Sequence, residues 1–256
     1  MVKEVDVVAE NFRPGVMDSL GLGWEKFSKI NTKLIYAAST GFGNDGPSYK
    51  EPGQDLLIQA ISGLATINGS ESTGPRPVGV SVVDHHGALY AMAILTGLVN
   101  RSVTGKGLRV DVDLLSAAID LQAESLFYYL NGEKKDSLLS KDNVAGWHNV
   151  SPYGLYSTKN GHIVVSLASL EVLTEALEMD INFLENSDAK TNINNENIGS
   201  KLQSRFNELS TENACSRLKN KKIWHAKVAD YEELIENPQV KHNGILLKNK
   251  SAANNT

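Results

Sequence analysis

The sequence has a single cysteine, Cys215, which excludes an internal disulfide and any metal site built from several cysteines. It also has no long apolar run, and its 25 basic side chains are outnumbered by 30 acidic ones. These features argue against a membrane-spanning helix and against general nucleic-acid binding, which needs a basic face. The charged start, Met1–Asp6, lacks the apolar segment of a signal peptide, so we expect a protein of the reducing cytoplasm.

Metal-binding patterns are absent as well. The six histidines show neither H-x-x-x-H nor H-E-x-x-H spacing, so the sequence predicts no metal site. Apolar residues make up 41% of the chain and charged residues 21%, which is an ordinary globular balance.

Strand and helix patterns alternate over the first half of the chain, which predicts an α/β domain there. The predicted strands are 5–9, 33–38 and 110–114, with a third strand or an extended run at 78–83, and the predicted helices are 16–20, 54–67, 85–100 and 116–130. Because the strand at 5–9 starts almost at the first residue, we expect it to be a middle strand of a domain whose first part is absent.

The sequence becomes polar and charged after this domain, and a smaller α+β unit is predicted to follow. A hairpin is expected from 153–158 and 162–167, with helices near 170–177 and 198–209 and a polar surface loop at 187–197. We therefore divide the chain into a partial large domain (1–132), a linker (133–145), a small domain (146–240) and a final segment (241–256).

Asp84 is the strongest candidate for a chemical role on physical grounds. It follows an apolar run and opens the most apolar helical pattern in the chain. The N-terminus of a helix stabilises an ionised carboxylate, so Asp84 is suited to act as a nucleophile. The alternative is an ordinary helix N-cap, a position that aspartate favours.

Three further features of the sequence are candidates for a role beside Asp84. Asp55 also stands at a helix start, where it either shares a pocket with Asp84 or caps the helix. The loop Gly41-Phe42-Gly43 follows a strand and lets backbone approach a ligand, although it lacks a dinucleotide-binding fingerprint. His85 and His86 could do acid–base work beside Asp84, but such histidines more often report helix packing or partial exposure.

Several short segments together resemble the class III CoA-transferases, of the formyl-CoA transferase and carnitine CoA-transferase type. They are, in chain order, ENFRPGV at 10–16, LGLG at 20–23, LIY at 34–36, GFG at 41–43, GP at 46–47, GQDL at 53–56, GP at 74–75, VVD at 82–84, TGKG at 104–107 and VDV at 110–112. Later segments, PYG at 152–154, NGH at 160–162 and NPQV at 237–240, resemble the start and exit of the family's smaller domain.

The resemblance implies a fold and a reaction. The fold is a partial Rossmann-like, CoA-binding large domain with a long helix, followed by the smaller domain, in a family of interlocked homodimers. The reaction moves CoA from an acyl-CoA to a free carboxylic acid through an aspartyl anhydride and an aspartyl-CoA thioester. Coenzyme A is a substrate, and no metal or redox cofactor is required.

Roles for individual residues follow from the same resemblance. Asp84 matches the nucleophile, and Asp55 matches an acidic position beside it. The stretch Asn11, Phe12 and Arg13 matches a turn that contacts CoA. The loop Gly41, Phe42 and Gly43 matches one that lines the thioester pocket.

Departures from the family pattern leave two alternatives open. The related α-methylacyl-CoA racemases carry a histidine immediately before the position of Asp55, and this chain has Gln54, which cannot exchange a proton near neutral pH. Family members also have further segments at both ends, and Ser19 stands where they often have a basic residue. The alternatives are therefore a racemase-like enzyme, or an inactive truncated remnant that serves only in dimerisation.

Overall fold

A computed structural model describes residues 1–132, 137–180 and 192–247. Contacts divide the chain into two units, one of residues 1–142 with 146–148 and one of residues 143–145 with 149 onward. Part of the predicted linker, 133–136, and part of the predicted final segment, 248–256, lie outside the described residues. Among the described residues, no helix combines the length and apolar character that crossing a membrane requires.

A three-stranded parallel sheet forms the centre of the first unit. Its strands are β1 (Val7–Glu10), β2 (Ile35–Thr40) and β3 (Leu108–Asp113), in the spatial order β1-β2-β3. Every residue of the middle strand β2 is buried, as expected for a parallel strand covered on both faces. The strands predicted at 5–9, 33–38 and 110–114 are confirmed, with shifts of about two residues at their ends.

Seven α-helices and one short 3₁₀ helix are described in this unit. The helices are α1 (Val16–Ser19), α2 (Trp24–Ile30), α3 (Asp55–Ile61), α4 (Leu64–Ile67), α5 (His86–Thr104), α6 (Leu114–Leu121) and α7 (Ala123–Leu130), and the 3₁₀ helix is Val82–His85.

Three predictions of local structure are wrong here. The helix predicted at 54–67 breaks at Gly63, whose φ of 83° leaves the helical region. The helix predicted at 116–130 breaks at Gln122. The extended run predicted at 78–83 forms no strand, since its amide at Val83 is bonded to a side chain and the 3₁₀ helix begins at Val82.

Helix α5 packs against one face of the sheet through Gly97. A β-carbon on Gly97 would lie 3.1 Å from Cγ2 of Ile35, so the glycine permits this close approach. The opposite face carries a cluster of Phe27, Leu34, Tyr36 and Ala38. A second cluster joins α3, α4, the 3₁₀ helix and α6, and it contains Ile58, Leu64, Val83, Leu114, Ala117 and Ala118.

The second unit has an antiparallel sheet. Its strands are β4 (Gly154–Thr158), β5 (Gly161–Val165) and β6 (His225–Lys227), in that spatial order, and the predicted hairpin is confirmed. The described helices are α8 (Leu170–Leu177), α9 (Asn192–Asn207), α10 (Thr211–Asn220), α11 (Tyr231–Glu236) and α12 (Pro238–Asn243). Tyr156 and Phe206 lie in one core with ring centroids 4.9 Å apart.

The helix predicted at 198–209 starts earlier than its apolar pattern. It begins at Asn192, so the polar loop predicted at 187–197 is wrong from that residue on, and 187–191 lie outside the described residues. The apolar spacing marks the part of the helix that contributes Ile198, Leu202 and Phe206 to the core. The residues at 192–197 are polar except Ile193, and a stretch with one apolar residue gives no helical period to detect.

Candidate active site

Asp84 lies at the junction of the 3₁₀ helix with α5, and its side chain is exposed. It borders a cavity of about 300 Å³. The remaining residues of the lining are mostly polar, namely Asn11, Ser39, Thr40, Gly53, Gln54, Asp55, Ser81, His86 and Leu114. Asp84 does not cap α5, because the N-cap position is His85 and makes no side-chain cap bond. The ordinary N-cap interpretation of Asp84 is therefore wrong.

Asp55 holds the segment that carries Asp84. Its Oδ1 accepts a hydrogen bond from the backbone N–H of Val83 at 2.7 Å, and its Oδ2 accepts one from Nε2 of Gln59 at 2.6 Å. Gln59 is 1% exposed, and its Oε1 accepts from the N–H of Val78 at 2.8 Å. Asp55 is the first residue of α3 and not its N-cap, so the cap interpretation is wrong here too.

The substitution Asp55→Asn tests this network. One amide oxygen can still accept from Val83, but the NH₂ group would then face the NH₂ group of Gln59, whose oxygen is committed to Val78. An unmatched buried donor costs about 1–3 kcal/mol, so we expect the free energy of unfolding in urea to fall by about that amount. An unchanged midpoint would show that the hydrogen bond between Asp55 and Gln59 does not stabilise this network.

The turn after β1 is fixed by Tyr90 of α5. The hydroxyl of Tyr90 accepts from the N–H of Glu10 at 3.0 Å and donates to the carbonyl of Ala37 at 2.6 Å. Burial raises the pKa of Tyr90, so the phenol keeps the proton that it donates. Tyr90 thereby ties the end of β1, and the Asn11 that follows it, to the middle strand.

The predicted turn Asn11, Phe12 and Arg13 lies between two cavities. Asn11 lines the cavity of Asp84, whereas Arg13 lines a larger one of about 560 Å³. Phe12 is 51% exposed, and its N–H donates to Oε2 of Glu10 at 2.8 Å. Burial is the main reason that the pKa of Glu10 is raised.

The larger cavity has a basic and aromatic lining. Arg13, Lys50 and Arg109 line it together with Trp24 and Tyr36, and Glu10 and Asp18 supply acidic groups. Arg109 pairs with Asp111 at 2.9 Å, and its guanidinium lies 5.8 Å from the ring centroid of Tyr36. Burial raises the pKa of Tyr36 to about 12.

The loop Gly41, Phe42 and Gly43 lies outside the lining of the small cavity. A β-carbon on Gly41 would be 2.6 Å from Cα of Gly53, so the two backbones touch, and Gly53 does line the cavity. Gly43, at a φ of 91°, donates its N–H to Oγ1 of Thr40 at 3.0 Å. Phe42 packs against the cluster around Ile58.

Of the two histidines next to Asp84, His85 is exposed and His86 lines the cavity. Nε2 of His86 lies 2.9 Å from Oγ of Ser39. Sequence reasoning missed Ser39 and Thr40, although the carboxyl end of a buried parallel strand is where ligands commonly bind. In the described part of the chain, no three His, Cys, Asp or Glu side chains are grouped to hold a metal ion.

Comparison with known proteins identifies the family. The family model described as "CoA-transferase family III" matches residues 1–256. The chain belongs to CoA-transferase family III. The family resemblance deduced from the ordered segments is therefore confirmed.

Two curated relatives of this family III chain are CoA-transferases by name. It is 31% identical over 250 residues to the human succinyl-CoA:glutarate CoA-transferase, an alignment that covers 95% of this chain and 56% of the human protein. It is 32% identical over 203 residues to the acetyl-CoA:oxalate CoA-transferase of Acetobacter aceti, with 75% of this chain and 51% of that protein covered. The chain thus spans about half the length of these relatives.

The fold of this family III chain is also that of a solved relative. A crystal structure of a CaiB/BaiF family protein from Brucella suis superposes with a TM-score of 0.80 at 27% identity. The match covers 95% of this chain and 65% of that one. It supports an α/β fold that combines a parallel sheet with a small antiparallel sheet.

Proposed function

We propose that this chain carries the nucleophile of a CoA-transferase, and that Asp84 receives the acyl group. The observation that carries the proposal is the exposed carboxylate of Asp84 at the edge of a cavity. Asp55 holds the backbone next to it through the N–H of Val83. Asp84 also lies one residue before the cap of the 19-residue helix α5. The positive end of a helix dipole stabilises a carboxylate and, during reaction, a developing oxyanion nearby.

The first half-reaction transfers the acyl group. An oxygen of the Asp84 carboxylate attacks the thioester carbonyl of the donor, and the carbon–sulfur bond breaks with both electrons leaving on the CoA thiolate. The product is a mixed anhydride between Asp84 and the acyl group. The thiolate then attacks the aspartyl carbonyl, which releases the donor as its free carboxylate and leaves an aspartyl-CoA thioester.

The second half-reaction reverses these steps with a new acid. The acceptor carboxylate attacks the aspartyl-CoA carbonyl and expels the thiolate, which then attacks the acceptor carbonyl of the new anhydride. Acceptor acyl-CoA leaves, and the Asp84 carboxylate is restored. No proton or electron needs an external carrier, since each step exchanges a carboxylate for a thiolate.

The two cavities suggest a placement for the CoA substrate. The basic side chains Arg13, Lys50 and Arg109 of the larger cavity suit the phosphates of CoA. The turn after β1 connects the two cavities, because its Arg13 lines the larger one and its Asn11 lines the one beside Asp84. In this proposal the thioester reaches Asp84 past the turn at Asn11. A homodimer of this chain, with acyl-CoA and carboxylic acid as its substrates, completes the proposal.

Trapping the intermediate tests this function. The chain is incubated with succinyl-CoA and then hydroxylamine, which converts an activated aspartyl group into a hydroxamate. Peptide mass spectrometry should find the modification on Asp84. A modification on another residue would overturn the assignment of the nucleophile, and no adduct together with no CoA binding by calorimetry would favour the inactive remnant.

A racemase reaction is the competing enzymatic function, because His86 lies in the same cavity as Asp84. Its Nε2 is engaged by Ser39 and its Nδ1 is buried, while Gln54 cannot take up a proton. We therefore expect no deuterium uptake at the α-carbon of 2-methylbutyryl-CoA in D₂O, measured by mass spectrometry. Uptake that depends on His86 would favour the racemase.

A further inference from the structure

A hydrogen-bonded pair, formed by the buried Ser39 and the half-buried His86, lines the cavity of Asp84 and has no role in the proposed reaction. Oγ of Ser39 lies 2.9 Å from Nε2 of His86, and Ser39 is 6% exposed. Nδ1 of His86 is also buried and has no hydrogen-bond partner among the described residues. A buried ring nitrogen without a partner, beside a cavity, calls for an explanation in terms of function.

The orphaned nitrogen indicates which atom of the pair donates. A neutral imidazole carries one N–H, and an N–H buried without an acceptor is rarely tolerated in proteins. The proton of His86 is therefore best placed on Nε2, from which it donates to Oγ of Ser39. The hydroxyl proton of Ser39 is then free to donate into the cavity.

The position of the pair determines which part of a substrate it can meet. Asp84 is exposed, whereas Ser39 is almost fully buried, so Ser39 lies at the inner part of the cavity and Asp84 at its opening. If the thioester carbonyl reacts at Asp84, the rest of the acyl chain extends inward. The lining there offers one large apolar side chain, Leu114, among polar groups.

We propose that Ser39, held by His86, donates a hydrogen bond to an oxygen at the far end of the acyl chain. The cavity would then select short acyl groups that end in a carboxylate over alkyl groups of the same length. This inference rests on the proposed function, because it takes Asp84 as the site of the thioester carbonyl. A buried donor left without its acceptor discriminates against the alkyl group.

The test uses binding and not turnover. Two non-reactive thioethers of equal chain length, S-(3-carboxypropyl)-CoA and S-butyl-CoA, are titrated into the intact chain by calorimetry. We expect the carboxylated analogue to bind at least about tenfold more tightly, and Ser39→Ala to remove most of that preference by weakening only the carboxylated analogue. The pair of analogues separates this contact from the rest of the CoA site.

Two variants of His86 distinguish its hydrogen bond to Ser39 from the volume of its ring. His86→Gln keeps a donor near the place of Nε2 and should retain the preference, whereas His86→Phe keeps the volume and should lose it. Ser140→Ala removes another buried serine hydroxyl, one bonded to the carbonyl of Gly69 outside this cavity, and should keep the preference.

Each outcome bears on one of the two proposals. Equal binding of the two analogues by the unmodified chain, or an unchanged preference in Ser39→Ala and His86→Phe, overturns the inference and leaves the CoA site standing. Failure of both analogues to bind overturns the proposed function as well.

Discussion

The substitution Asp84→Asn should reduce CoA transfer by at least about a thousandfold, because an amide cannot replace a carboxylate as nucleophile. The fold should be unaffected. The Asp84 carboxylate is exposed and accepts no hydrogen bond from the described residues, so nothing buried loses a partner. We expect the free energy of unfolding to change by less than about 0.5 kcal/mol. Transfer is measured as label exchange between succinyl-CoA and free succinate.

A matched control uses another exposed aspartate of the same unit. Asp120 lies on α6, outside the lining of the small cavity, and Asp120→Asn makes the same chemical change. This variant should transfer CoA at the unmodified rate. Comparable transfer by Asp84→Asn and the unmodified chain would mean that another group receives the acyl moiety.

The place of Asp84 at the start of a helix could be predicted from the sequence, because the pattern that marks it is local. An acidic residue between an apolar run and an apolar helical pattern marks the start of a helix, and the structure places α5 two residues later. The parallel strands were predictable for the same reason, as short apolar runs bounded by polar residues. The resemblance of ordered segments then pointed to the family that the comparison confirmed.

The hydrogen bonds around Asp84 could not be predicted from local patterns, because they join distant parts of the chain. Ser39 is the second-last residue of the middle strand and meets His86 only once α5 packs on the sheet. Asp55 contacts Val83 across 28 positions, and no periodic pattern encodes such a bond. The six-residue helix α11 was not predicted, and it buries none of its residues.

A second large effect is expected from the contact between the two glycines behind the small cavity. Gly41 follows β2, and Gly53 lies just before Gln54 and Asp55. A β-carbon on Gly41 would meet Cα of Gly53 at 2.6 Å, and one on Gly53 would meet Cα of Gly41 at 2.3 Å. Because backbone lies on both sides of the contact, neither chain segment can rotate a side chain away.

Gly41→Ala should therefore push apart the loop after β2 and the start of α3. Overpacking of this kind costs about 1–3 kcal/mol, so the urea midpoint should fall by the corresponding amount. The displaced α3 would move Asp55 and, through Val83, the segment of Asp84, so formation of the hydroxamate should fall too. The same losses are expected for Gly53→Ala, since the contact is mutual.

Gly79→Ala is the matched control for both variants. Gly79 has an ordinary φ, and a β-carbon there would meet no atom of the described structure within 4 Å. The free energy of unfolding of Gly79→Ala should differ from that of the unmodified chain by less than about 0.5 kcal/mol. If Gly41→Ala were as stable and as active as Gly79→Ala, the two backbones would have to be farther apart than the structure places them. The proposal that the glycine loop positions Asp84 through Asp55 would then be wrong. If Gly41→Ala instead lost hydroxamate formation with an unchanged urea midpoint, the loop would act on the reacting carboxylate and not on the stability of the fold.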